Sequence, residues 1–397
     1  MISSSPIWRL TSKSLARLPC VSKLWSSMFM TKSTAKPRLL FAIEENDCGV
    51  WSFFSSPQLD SPYENTSSTT LVAAAKFHVR FSPARLLISH HYDLMFFSCG
   101  YDSGLLHMYG SRYQARPMIC NPITGRYAIL PERYTYRKAY SFFGFDPIEK
   151  QYKVLSMAYP FGPGRHKILT FGNGDMGWRK IKCPLKHEVS SDGVRINGVL
   201  YYLGDSSNCT DGNAEMYYHV IVCLDLRSEE FTFIGIDMFC KLINYKGKLA
   251  LIYWEDDPFI YKFSSGTTDS NELHLWVLED VEKQEWSKHT YTNLRYDDSF
   301  RREVSIAGVT ALGEIVFSMR EYIPEEPFYV FYFNPERNTL QRVEIQGFGE
   351  ATKEYCRVRT FVNHVEDFND NQLEQLKSVH PPLKDSEYVE PSDSESD

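Results

Sequence analysis

Between residues 37 and 368 the chain alternates short apolar runs with compact polar breaks, a rhythm that suits strands and leaves little helical periodicity. The runs are rich in Val, Ile, Tyr, Phe and Trp, whose branched or flat side chains pack well on a pleated surface. The breaks are of two kinds. One centres on Asp or Asn: "MICNPITGRYAIL" at Asn121, "FFGFDPIEKQYKVL" at Asp146, "IVCLDLRSEEFTFI" at Asp225, "LWVLEDVEKQEWSKH" at Asp280 and "FYFNPERNTLQRVEI" at Asn334. There the side-chain oxygen can accept from the backbone just downstream, and a following Pro, where present, pre-sets φ for the turn. The other kind centres on glycine: "VRINGVLYYLG" at Gly198, "LINYKGKLALIYW" at Gly247 and "GVTALGEIVFSM" at Gly313, which suit tight hairpins that need positive φ.

Each glycine hairpin precedes one of the Asp/Asn kind: Gly198 comes before Asp225, Gly247 before Asp280, and Gly313 before Asn334. Two hairpins make one four-stranded sheet. Their repetition at intervals of roughly 50 residues predicts a mainly β fold with a β-propeller-like body of four-stranded blades and kelch-like spacing. A lone blade leaves both faces bare, so the blades must stack around an axis, and closure requires the first and last strands to meet. The stretch "PRLLFAI" (37–43) is therefore expected to pair with "CRVRTFVNHVEDF" (356–368) in one sheet. A two-sheet sandwich is the alternative that the same pattern allows.

Composition narrows the class. Hydrophobic residues make up 43% of the 397, aromatics 15% and charged residues 23%, which fits a globular protein and excludes wholesale disorder. No apolar run approaches the roughly 18 residues of a membrane span, and Lys13, Arg17 and Lys23 interrupt any secretory leader, so neither a membrane partner nor secretion is expected. The nine cysteines contain no C-x-x-C pair and read as reduced, buried small hydrophobes. Charge is uneven: residues 1–40 carry Arg9, Lys13, Arg17, Lys23, Lys32, Lys36 and Arg38 without an acid, whereas "DSEYVEPSDSESD" (385–397) is acidic and without a base. The body between them is net negative, so no nucleic acid is expected as a partner, and the acidic end reads as a solvated, disordered tail.

Catalytic patterns are scarce. "FGNGDMGWRK" places Gly172, Gly174 and Gly177 in G-x-G-x-x-G register, but "WRKIKCP" after it is strand-like, and a phosphate loop needs a helix or a kinase strand there. A glycine-rich hairpin turn is the better reading. His90, His91 and Asp93 sit in a strand-like run where adjacent histidines point to opposite faces, and Glu255, Asp256 and Asp257 form a solvated loop cluster. No catalytic set, cofactor site or metal site is assigned. Contact material is richer: "PERYTYRKAY" (131–140), "YPFGPGRH" (159–166) and "RYDDSFRR" (295–302) concentrate the residue types that dominate protein interfaces. Tyr134, Tyr136, Arg137, Phe161, Arg165, Arg295 and Tyr296 are the candidate target-binding residues.

Toward the N-terminus, Leu15, Leu18, Val21, Leu24 or Trp25, and Met28 form one apolar stripe opposite Lys13, Arg17 and Lys23. Pro19 costs an uninterrupted helix about 3 kcal/mol, so two short helices are expected, the second capped by Ser22. Here the sequence resembles a family. "SKSLARLPCVSKLWSSM" looks like the second half of a plant F-box, and "CNPITGRYAILP", "FGFDPIEKQYKVL", "NGVLYYLG", "CLDLRSEEFTFI", "NYKGKLALI", "VLEDVEKQEWSK", "FYFNPERNTLQRVEIQGFG" and "FVNHVEDF" look like the F-box-associated domain that follows it.

The resemblance implies a non-catalytic substrate receptor: the F-box docks on a Skp-type adaptor of a cullin-RING ubiquitin ligase, and the associated domain captures a target protein. By the family's pattern Leu15, Cys20, Val21 and Trp25 carry the adaptor-facing or F-box core contacts, and the nucleus and cytoplasm are the expected location. One departure stands out. The family's first F-box helix, L-P-x-[DE]-L-x-x-E-I, is represented here by "MISSSPIWRL". The F-box is thus read as N-terminally truncated, which leaves two alternatives: an interaction module uncoupled from the ligase, or a propeller led to an organelle by its basic, acid-free leader. The expected organisation is a helical F-box remnant at 1–36, a propeller-like domain at 37–368 and a disordered acidic tail at 369–397.

Overall fold

The computed structural model describes residues 36–45, 50–59, 71–81, 97–110, 117–131, 139–158, 165–171, 177–206, 219–236, 238–254, 272–292, 300, 303–350, 355–366 and 379–380. Their strands form six sheets, the blades of a propeller. From the innermost strand outward, blade 1 consists of Cys356–His364, Arg38–Glu45, Val50–Pro57 and Lys76–Phe81. Blade 2 consists of Phe97–Asp102, Leu105–Gly110, Met118–Cys120 and Tyr127–Ile129, and blade 3 of Ala139–Asp146, Gln151–Ala158, His166–Thr170 and Arg179–Ile181. Blade 4 runs through Val194–Ile196, Val199–Asp205, His219–Asp225 and Phe231–Ile236, with Glu188–Val189 also paired to its second strand. Blade 5 runs through Lys241–Tyr245, Lys248–Trp254, Leu273–Asp280 and Glu285–Tyr291, and blade 6 through Val304–Val309, Ile315–Met319, Phe328–Asn334 and Thr339–Gln346.

The ring closes as the strand pattern predicts. Arg38–Glu45 pairs antiparallel with Cys356–His364, from Arg38 opposite His364 to Glu45 opposite Cys356. Two shorter strands reinforce the seam. Leu71–Ala74 crosses from blade 1 to pair parallel with the outer strand of blade 6, and Glu321–Tyr322 of blade 6 pairs with the closing strand.

Why strands such as "RLLFAIEE" are apolar through their middle at every position, and not at alternate ones, follows from the stacking. Side chains alternate between the two faces of a strand, and both faces of each blade are covered. Leu39, Phe41 and Ile43 pack toward blade 6, while Leu40 and Ala42 pack toward blade 2. The same division recurs all round, so each of the six blade interfaces has its own buried cluster.

Each of the five Asp/Asn turns forms as its chemistry requires. Asn121 Oδ1 accepts from the backbone N–H of Ile123 at 2.9 Å, Asp146 Oδ1 from Ile148 at 2.8 Å, and Asp225 Oδ1 from both Arg227 and Ser228 at 2.8 Å. Asp280 Oδ1 accepts from Lys283 at 3.0 Å, and Asn334 Oδ1 from Glu336 and Arg337 at 3.0 Å. At the glycine hairpins Asn197–Gly198 and Lys246–Gly247 both residues take positive φ, the signature of a twist-matched two-residue turn. Ser103–Gly104 does the same between the first two strands of blade 2, a hairpin that neither turn pattern captures. Blade 3 departs from the two-kind scheme, because its inner hairpin is the Asp146 turn itself.

The expectation of a disordered tail from residue 369 is corrected at one place. Val379–His380 forms a short strand paired with Ala128 and Tyr127 of blade 2, and the His380 and Tyr127 rings stack at 4.9 Å. An aromatic partner and an open sheet edge supply there what composition alone did not reveal. The predicted helices of residues 1–36 and the acidic stretch 385–397 lie outside the described residues, apart from Lys36.

Candidate functional site

All six inner strands point the same way, so their C-terminal ends gather on one face of the ring and their N-terminal ends on the other. The first, or turn face, carries the inner hairpins and the Asp/Asn turns. Neighbouring turns are fastened to one another. Asp102 at the end of blade 2's inner strand accepts from the backbone N–H of Phe145 in blade 3 at 2.9 Å and receives the guanidinium of Arg195 from blade 4. Asn197 donates to Gly247 O at 3.3 Å, and Lys246 pairs with Glu336 at 2.8 Å. Asn363 donates to Val309 O at 2.8 Å, and the Tyr101 hydroxyl meets His364 Nδ1 at 2.8 Å, which completes the circuit. Each of these contacts joins one blade to another, so together they fix the blades' relative rotation.

The second, or loop face, is reached by the connections between second and third strands and between successive blades. The three aromatic and arginine-rich stretches flank strand ends of this face: 131–140 leads into Ala139–Asp146, 159–166 joins Ala158 to His166, and 295–302 leads into Val304–Val309. The fold therefore brings Ala139, Ala158, His166 and Val304, the strand ends beside these stretches, to one end of the ring. Arg165 is exposed there, at the start of its strand. Tyr134, Tyr136, Arg137, Phe161, Arg295 and Tyr296 lie outside the described residues, as do Leu15, Cys20, Val21 and Trp25. The N-terminal direction is nonetheless set. Arg38 lies beside His364 and opposite Pro57 at the turn face, so the chain preceding it joins the propeller on the side opposite those stretches.

Two polar clusters, one buried and one open to the surface, invite a catalytic reading. Ser55 Oγ lies 2.8 Å from His78 Nε2, at nucleophile–base distance. But Ser55 Oγ donates to Glu366 Oε1 at 2.8 Å and accepts from Arg38 Nε at 2.9 Å, so its single proton is spent on the carboxylate and His78 Nε2–H is the donor to it. A ring nitrogen that already carries the proton cannot accept one. Burial, with Lys76 and Arg38 adding to it, lowers the pKa of His78 to about 3 and keeps the ring neutral. The cluster instead ties the closing strand to blade 1, alongside the reciprocal Gln58–Asn363 pair at 3.0 and 2.8 Å.

The second cluster lines a cavity of about 400 Å³ on the turn face between blades 3 and 4, bounded by Glu149, Lys153, Gly177, Arg179, Arg227 and Glu229. Its charges are engaged with one another: Lys153 Nζ bonds Leu226 O and lies 2.9 Å from Glu229, and Arg179 grips the same carboxylate with two nitrogens. The glycine-rich segment ends here. Gly177 runs on into the strand Arg179–Ile181, so a strand, and no helix N-terminus, follows it. That excludes the phosphate-loop geometry.

Comparison with known proteins matches these features to one family. The profile of the F-box associated beta propeller domain covers residues 38–365. F-box protein At2g15640 of Arabidopsis thaliana is 62% identical over 98% of this chain and 96% of its own length. The chain belongs to the F-box-associated β-propeller family. A second member, F-box protein At2g16450 of the same plant, is 61% identical over 96% of both chains, and F-box protein At1g47340 is 50% identical over 93% of this chain and 83% of its own. Among solved structures, the WD40 domain of SCAP from fission yeast covers 83% of this chain at 10% identity and a TM-score of 0.35, too slight a likeness to argue from. In this F-box-associated propeller the family boundary at 38 coincides with the strand that the closing segment clasps.

Proposed function

We propose that this propeller is the target-binding part of a non-catalytic substrate receptor of a cullin-RING ubiquitin ligase, acting in the nucleus and cytoplasm. The observation that carries the reading is the opposition of its two ends. The chain enters the propeller at Arg38 on the turn face, and the strand ends that the stretches 131–140, 159–166 and 295–302 connect, at Ala139, Ala158, His166 and Val304, lie on the loop face. An adaptor held by Leu15, Cys20, Val21 and Trp25 would then leave the loop face open to a target protein. A receptor so built needs no reacting groups of its own; it raises the local concentration of its target near the ligase.

The interaction module uncoupled from a ligase is the second reading. It draws support from Pro19, which interrupts the apolar stripe of the F-box-like segment. Replacing residues 132–138, 159–164 and 295–299 with Gly/Ser segments, which spares the strand residues Ala139 and Tyr140 and the buried His166 and Phe300, separates target capture from adaptor binding. Affinity purification from proteasome-inhibited plant cells is expected to lose ubiquitinated partners while adaptor recovery is unchanged. Partners retained in full by the triple replacement would place target recognition elsewhere.

A further inference from the structure

His166, Cys183 and His187 are brought together at the interface of blades 3 and 4, and each offers one nitrogen or sulfur within 4.8 Å of the others. All three are buried: His166 is 1% exposed, Cys183 0% and His187 1%. His166 opens the third strand of blade 3, opposite Ile181, and Cys183 and His187 follow that outer strand as it crosses to blade 4. The cluster thus sits under the loop face, at the foot of the stretch 159–166.

We propose that this trio binds a single thiophilic metal ion, with Cu⁺ as its occupant. Three observations carry this. First, the ligand types: one thiolate and two imidazoles form a soft-to-borderline set that suits Cu⁺ or Zn²⁺ and not Mg²⁺ or Ca²⁺. Second, the spacing. A triangle with edges of at most 4.8 Å has its centre no more than about 2.8 Å from each corner, so contraction of about 0.5–0.8 Å per ligand reaches metal–sulfur and metal–nitrogen bonds of about 2.3 and 2.0 Å.

Third, the support around the ligands. The Leu185 carbonyl lies 3.1 Å from His187 Nδ1 and accepts its proton, which leaves the lone pair on Nε2, the orientation that metal-bound histidines take. The Tyr202 hydroxyl, 3.0 Å from Nε2, has Met157 Sδ at 3.5 Å as a second acceptor and so keeps a partner when the metal takes that nitrogen. Gly204 makes room, since a Cβ there would meet His187 Cδ2 at 2.8 Å.

Charge selects between the two ions. The surroundings are apolar, among them Ile168, Ile181, Val189 and Phe231. Cu⁺ with one thiolate and two neutral imidazoles is neutral overall, whereas Zn²⁺ would leave a net positive charge buried, which is costly without a partner. Binding displaces the Cys183 thiol proton to solvent, with no change in oxidation state. The ion would staple the blade 3 outer edge to blade 4 and fix the base of a loop-face connection.

The test is a competition titration of the full-length chain, under anaerobic reducing conditions, against a chromophoric Cu⁺ chelator, with Zn²⁺ titrated in parallel. One Cu⁺ per chain is expected. Cys183→Ser and His187→Gln should each weaken it by at least about 100-fold, and Cys223→Ser, at another buried thiol, should leave it unchanged. X-ray absorption of the copper-loaded wild-type chain needs no variant to fold, and should show one sulfur and two nitrogen neighbours. No stoichiometric Cu⁺, binding of Zn²⁺ alone, a copper shell without sulfur, or affinity that survives Cys183→Ser in a folded variant would overturn the assignment.

Discussion

Buried histidines are where single residues control the stability of this fold. His78, His107 and His364 are 3%, 1% and 0% exposed, and burial lowers each pKa to about 3, His364 despite the opposing pull of Glu366. Unfolded, each ring titrates near the ordinary value of about 6.5. Between those limits the unfolded chain binds more protons, so stability is fully present above about pH 6.5 and falls as the pH drops toward 3. At pH 5 each ring is expected to cost up to about 2 kcal/mol. Urea midpoints at pH 7.5 and 5.0 measure this, and His107→Phe, which keeps the stacking against Phe143 at 5.8 Å, should shrink the difference. An unchanged difference would show that His107 is not one of the titrating groups. The local turn chemistry was legible at this scale, because Asp and Asn bond their own downstream backbone. The His166, Cys183 and His187 cluster was not. Its Cys-x-x-x-His spacing is visible, but the third member is supplied by strand pairing that no spacing encodes.

At the scale of elements, glycine positions separate conformational need from steric need. Gly247 has φ +83°, and a Cβ added there would meet no atom within 4 Å, so only its backbone conformation resists a side chain. Gly347 has φ +110° and a Cβ there would lie 2.7 Å from Ala75 O, in the backbone that follows the crossing strand Leu71–Ala74. Gly247→Ala is expected to cost about 1 kcal/mol. Gly347→Ala should cost about 2–3 kcal/mol and loosen the crossing strand, seen as a lower denaturation midpoint with faster amide exchange in residues 71–75. Equal costs at the two sites would show that the crossing strand yields freely. Hairpins announce themselves in sequence through such residues, and Ser103–Gly104 escapes notice only because Ser-Gly is a weaker signal than Asn-Gly. The crossing strand gave no signal, since a four-residue parallel addition to a distant blade depends on the ring already being closed.

For the whole molecule, the repeat of paired hairpins carried the architecture, and the strand-by-strand apolar runs make sense only once both faces of every blade are covered. The closing partner of "PRLLFAI" was also legible, because a ring must join its ends. The chemistry of the three stretches stood out in the sequence, but that the strand ends they connect share one face follows from the parallel course of the inner strands, which no local pattern encodes. The central claim is that one end of this ring serves an adaptor and the other a target. Its most direct test is co-purification of the full-length chain with a Skp-type adaptor, compared with the chain starting at residue 37 and with Trp25→Ala. A complex at micromolar concentration that depends on residues 1–36 and is weakened by Trp25→Ala is the result expected, and a full-length chain that captures no adaptor at that concentration would contradict it.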